Sequence, residues 1–125
     1  MSRIFDQFLL YAGEKFAVYF HTGSEGASDV YDYYRSCDDA TRASLLYLVK
    51  RIADFGHIYD ETKFRIEDKR HKIYCFKPRS ERFFCFFFVG KKMIITSAYT
   101  KKKQKLDRNE LNKAILIKGS YMNGG

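Results

Sequence analysis

The chain has 125 residues, 23 Lys/Arg against 15 Asp/Glu (formal net charge +8), 46% hydrophobic residues and a single proline. That length suits one domain with a core of its own, and the composition excludes a disordered or collagen-like chain. The longest apolar run is too short for a bilayer, and Asp6 and Gln7 interrupt the amino-terminal one, so a soluble cytoplasmic protein is expected.

Met1 to Glu14 reads either as a short helix, with Ile4, Phe5, Phe8, Leu9 and Leu10 on one side, or as an irregular packed arm. It is an N-terminal extension (1–14) to a domain expected over 15–119, with 120–125 as a flexible tail that frays. Lys15 to His21 is rich in β-formers and predicts a strand ending at the loop from Gly23 to Gly26. Ser28 predicts an N-cap, with Asp29 and Asp32 in the first turn and Val30, Tyr33 and Tyr34 on an apolar side. A break is expected near Arg35-Ser36-Cys37. Ser36 and Asp39 have capping-box spacing for a longer helix that carries the stripe Leu45, Leu46, Val49, Ile52, Ala53 to about Phe55, before Gly56.

Lys63 to Glu67 predicts a strand, Asp68-Lys69-Arg70 a turn, and Ile73 to Lys77 the next strand. After Pro78-Arg79-Ser80-Glu81 come Arg82 to Val89, a two-residue turn at Gly90-Lys91, and Met93 to Thr100. Asp107 and Glu110 start a short helix carrying Leu111, Ala114 and Ile115. The predicted fold class is therefore α+β. Its order is β-α-α-β-β-β-β, with one antiparallel-rich sheet, a helical hairpin on one face and a short C-terminal helix. Phe83 to Val89 is apolar at every position. A strand with one wet face alternates, so both faces here need a cover, or one is a binding surface.

Residues 63–105 hold 14 of the Lys/Arg against Glu67, Asp68 and Glu81, a local net of +11; the rest of the chain is at −3. Clustered cations point to a polyanion such as nucleic acid, or to an acidic protein; lysines at strand edges also block sheet aggregation. Cys37, Cys75 and Cys85 form no C-x-x-C, and His21, His57 and His71 lack metal-ligand spacing, so no metal and no cofactor is expected. Cys75 and Cys85 fall nearly opposite each other across two strands. A cross-strand bond is geometrically open to them, as is a role as small reduced hydrophobes.

The run from Lys63 to Ile115 resembles the RelE/ParE toxin superfamily of type II toxin–antitoxin systems, and within it the phage-derived HigB-like branch. The resemblance rests on the strand Ile73–Lys77, the arginine-opened aromatic strand Arg82–Val89, Met93–Thr100, the tail Lys101-Lys102-Lys103-Gln104-Lys105 and the capped helix from Asp107. It implies an mRNA endonuclease acting at the ribosome without a metal, silenced by a cognate antitoxin. A 2′-hydroxyl attacks the adjacent phosphate while a base, cations and an acid assist. It places Arg82 on the phosphate, Tyr99 as a base-stacking or orienting group and Lys101 as a cation at the strand exit. His71 becomes a candidate proton-transfer group, because Cys75 and Ser97 stand where relatives keep other residues. Arg65, Lys72, Lys77 and Arg79 would bind RNA backbone, and Lys102, Lys103 and Lys105 would dock on ribosomal RNA. An acidic antitoxin segment is expected to complete the cover of the aromatic sheet. The alternatives are a ParE-like toxin that inhibits DNA gyrase without nuclease activity, and a non-catalytic basic nucleic-acid-binding module.

Overall fold

The structure, a computed structural model, describes residues 8–122. Its elements are β1 (Leu9–Ala12), β2 (Ala17–Phe20), α1 (Asp29–Ser36), α2 (Asp39–Phe55), β3 (Phe64–Asp68), β4 (Ile73–Phe76), β5 (Glu81–Phe88), β6 (Lys92–Thr100) and α3 (Arg108–Met122). All six strands form one sheet in the order β1-β2-β6-β5-β4-β3. The run from β3 to β6 is antiparallel throughout, while β2 joins β6 in parallel. The expected α+β layout is present, with a strand added.

That added strand is β1. The first fourteen residues were expected to be a helix or an arm, but residues 9–12 pair antiparallel with β2. The expectation for Ile4 and Phe5 lies outside the described residues. The β1–β2 turn docks on the end of α2. Lys15 and Phe16 both donate their amides to Ala53 O, and Tyr11 Oη donates to Asp54 Oδ2. Gly13 sits in this joint, where a Cβ would fall 2.6 Å from the Ala53 backbone. Gly13→Ala is therefore expected to destabilise the chain by about 1–3 kcal/mol, read as a lower denaturant midpoint at unchanged m-value.

Three local expectations are corrected. The cap of α2 is Asp38, whose carboxylate accepts from Thr41 N; Ser36 instead closes α1, donating to Tyr33 O. The β5–β6 connection spans Val89, Gly90 and Lys91, since Phe88 pairs with Lys92, and Gly90 and Lys91 take φ of 79° and 58°. Helix α3 continues through Met122, beyond the point where fraying was expected; residues 123–125 lie outside the described residues.

The aromatic strand β5 is covered on both sides. Phe83 and Cys85 face α1 and α2, in a core with Leu45, Val49, Ile52, Phe76 and Ile95. Phe84 and Phe86 face α3, in a second core with Ile73, Ile94, Leu111 and Ala114. The C-terminal helix thus shields from within the chain the apolar face expected to need a partner. Cys75 belongs to the α3 face and Cys85 to the opposite one, so the cross-strand bond is ruled out by the pleat, and both thiols are free.

Candidate functional site

The end of the sheet beyond α3 collects the chemistry. Arg82 lies directly opposite Tyr99 across β5 and β6. Simple alternation along β6 would put Tyr99 on the helix-hairpin face with Met93 and Ile95. A β-bulge prevents this: Phe84 pairs with Ser97 and Cys85 with Ile95, leaving Thr96 as an extra residue. The extra residue re-aims the side chains C-terminal to it. Tyr99 consequently joins the α3 face, its ring stacked on Phe84 at 5.9 Å between centroids. Burial is the main cause that raises the Tyr99 phenol above its ordinary value, so it stays protonated at neutral pH.

The Arg82 guanidinium is held by main chain. Its Nη1 donates to Arg79 O at 2.9 Å and to Glu81 O at 2.8 Å, and its Nε is buried with no partner. No ion pair among the described residues involves Arg82. The nearest carboxylate in sequence, Glu81, is diverted. Tyr33 Oη and Thr100 Oγ1 both donate to Glu81 Oε1, the latter at 2.8 Å. The arginine therefore keeps its charge for an incoming anion.

Sequence reasoning passed over one carboxylate, counting Glu67 only in the local charge balance. Its side chain is 11% exposed, with Oε2 3.3 Å from Lys77 Nζ and 3.7 Å from Arg65 Nε. It lies on the bulged stretch of β3 between the paired residues Ile66 and Asp68. The available signal was an acid set two residues after Arg65, on the same face of a basic strand region. Cys75, fully buried, feels Glu67, Arg82 and Lys77 together. Burial first, and Glu67 second, push its thiol up to about 12, against the opposing pull of Arg82 and Lys77. A thiol so placed keeps its proton at working pH and is no general base.

The other residues divide by position. Lys101 donates its amide to Ser80 O at 2.9 Å, which brings it beside the β4–β5 loop and Arg79. Arg65 is on the Cys75 row of the same face. Lys77 is there too, but its ammonium is engaged by Glu67 and by Glu61 O at 3.3 Å, so it does not stand free for an RNA backbone. His71 and Lys72 sit in the β3–β4 turn, six residues along the chain from Lys77 and at the other end of the strand. His71 O accepts from Lys118 there, and its Nδ1 lies 3.4 Å from Asp68 Oδ1. Strand rise puts His71 about 20 Å from Lys77, so closeness in sequence does not bring it to Arg82. Ser97 is buried; its hydroxyl lies 3.2 Å from Thr96 Oγ1, and it lines a separate cavity with His21 and Lys113. Lys102, Lys103 and Lys105 lie beyond Tyr99 in the exposed loop to α3.

This arrangement has a forked cation free of carboxylate, an aromatic opposite it, a further cation at the strand exit and a nearby carboxylate held between two bases. Residues 32–117 match the sequence profile of the family described as Phage derived protein Gp49-like (DUF891). The chain belongs to the Gp49-like family. The match spans most of α1, all of α2, β3 to β6 and the first part of α3, so it contains every residue of the patch just described. The Gp49-like family is a RelE/ParE-like toxin family, associated with toxin–antitoxin systems, and this association suggests an antitoxin as partner. No curated protein matches the chain. No helix among the described residues is long and apolar enough to cross a membrane, and no three or more of His, Cys, Asp and Glu cluster there as a metal-binding group.

Proposed function

We propose that this Gp49-like chain is a toxin that cleaves messenger RNA at the ribosome, in the cytoplasm, by 2′-hydroxyl attack, and that a cognate antitoxin silences it. The observation that carries this reading is the pairing of Arg82, which makes no ion pair among the described residues, with Tyr99 across β5 and β6, on the face where Glu67 meets Lys77 and Arg65. The Lys101–Lys105 tail supports placing it with HigB-like relatives.

In the proposed reaction the 2′-oxygen forms a bond to phosphorus while the bond from phosphorus to the 5′-oxygen breaks. This leaves a 2′,3′-cyclic phosphate and a 5′-hydroxyl. Glu67 takes the 2′-hydroxyl proton, and Lys101 gives a proton to the departing 5′-oxygen. Arg82 holds the non-bridging oxygens as negative charge grows on them. Tyr99, kept neutral, stacks on a base or orients the phosphate. Arg79 and Arg65 track the backbone. The proton path does not run through His71, Cys75 or Ser97.

Purified ribosomes programmed with a defined mRNA test this. Wild-type protein is expected to cut within the message, and Glu67→Gln to cut about 10²-fold more slowly in single turnover at unchanged melting temperature. A merely structural Glu67 would lower the melting temperature and leave the single-turnover rate of the folded protein unchanged. Intact mRNA with wild-type protein would overturn the nuclease reading; gyrase-linked DNA breaks in its place would favour the ParE-like one.

A further inference from the structure

A cavity of about 420 Å³ opens where β6 hands over to α3. Tyr99 forms part of its wall, and so do Lys101, Lys102, Lys103, Lys105 and Arg108. None of these cations makes an ion pair among the described residues. The one acid in the wall, Asp107, is occupied: its Oδ1 accepts from Glu110 N and its carbonyl from Leu111 N, while its amide reaches Tyr99 Oη. Glu110, the other carboxylate of that turn, does not line the cavity. The first residues of the 15-residue α3, Arg108 and Asn109, complete the wall, so the positive end of the helix dipole meets the same space.

We infer that this cavity holds the phosphate next to the one gripped by Arg82, on the same single strand of RNA. The inference rests on the reading of Arg82 and Tyr99 as the cleavage site. Tyr99 is shared: it faces Arg82 across the strand pair and walls the cavity, so a strand passing the arginine runs on into the lysines. An aromatic step between two cationic seats is how sequence-tolerant single-strand binders track a backbone. The lysine tail then acts on the substrate strand itself, not only on ribosomal RNA. The ligand class is a single-stranded oligoribonucleotide with at least two consecutive phosphates.

The test uses the full chain and fluorescent four-nucleotide RNAs that are 2′-O-methylated and so cannot be cut. Each linkage is replaced in turn by an uncharged methylphosphonate, and binding is monitored by anisotropy. Wild-type protein should lose on the order of tenfold in affinity at each of two adjacent linkages. Arg82→Ala should abolish the sensitivity at one, and Lys103→Gln with Arg108→Gln the sensitivity at its neighbour. The double variant should also lower the salt slope of binding by about one to two. Unchanged binding in the double variant, as expected of a tail that touches only ribosomal RNA, would overturn the inference. So would an equal loss at every linkage, which marks general screening. If the double variant loses one linkage while Arg82→Ala loses none, the cavity stands and the cleavage role of Arg82 falls.

Discussion

Arg82→Ala is expected to lower RNA cleavage by about 10²–10³-fold, with a cost in stability near 1 kcal/mol. The guanidinium is a positioned charge, not a core group. It is fixed by two main-chain carbonyls on its own strand and loop, it has no carboxylate to satisfy, and Tyr33 and Thr100 hold Glu81 away from it. Removing it deprives the reacting phosphate of a fork that matches two oxygens, while the carbonyls of Arg79 and Glu81 lie near enough to the surface to meet water. Arg82→Lys should recover only part of the rate, because an ammonium is a point charge and cannot bridge two oxygens in a plane. Single-turnover rates on programmed ribosomes, set beside thermal melts of the same proteins, separate the two effects. A large drop in melting temperature with unchanged cleavage by the residual folded protein would reverse the assignment.

Phe84→Ala should have the opposite signature. Phe84 is fully buried on the α3 face, with Cys75 and Ser97 as its cross-strand partners and the Tyr99 ring stacked on it. Truncation loses the transfer free energy of the ring and leaves a void between sheet and helix that the rigid β5 cannot fill. The expected cost is about 3–5 kcal/mol, a fall of roughly 10–20 °C in Tm. That takes a large share of the stability of a domain this size. Phe84→Leu keeps most of the volume and should cost less than half as much. Because Tyr99 leans on this ring, the leucine variant should also cleave more slowly than its stability alone accounts for.

The way these two residues meet shows what the sequence discloses. The unbroken apolar run of β5 called for two covers or one cover and a binding surface, and α1–α2 and α3 supply two covers. That inference needed only the two-residue pleat. Antiparallel pairing of the two strands was legible, but neither the opposition of Arg82 and Tyr99 nor the face on which Tyr99 points was, because the register from Phe88 and Lys92 alone would set Arg82 against Ala98. The bulge at Thr96 is one extra residue in a β-rich run, and nothing in its chemistry marks it. Glu67 is a different case: two-residue alternation does put it on the face of Arg65, its ion-pair partner, but nothing in the sequence shows that Lys77 of the next strand reaches it as well. For His71 closeness in sequence misleads the other way: it lies near the cations along the chain yet about a strand's length from Lys77 in space. β1 went unseen because four residues beside a glycine carry too little pattern to separate a strand from an arm.

If the Arg82 face grips and cuts one RNA strand, mapping of transcript 5′ ends in cells induced for this chain records the cuts. New 5′ ends inside translated codons, present with wild-type protein and absent with Arg82→Ala at equal expression, are the predicted result. Growth arrest with intact transcripts, or the same new ends with Arg82→Ala, would contradict it.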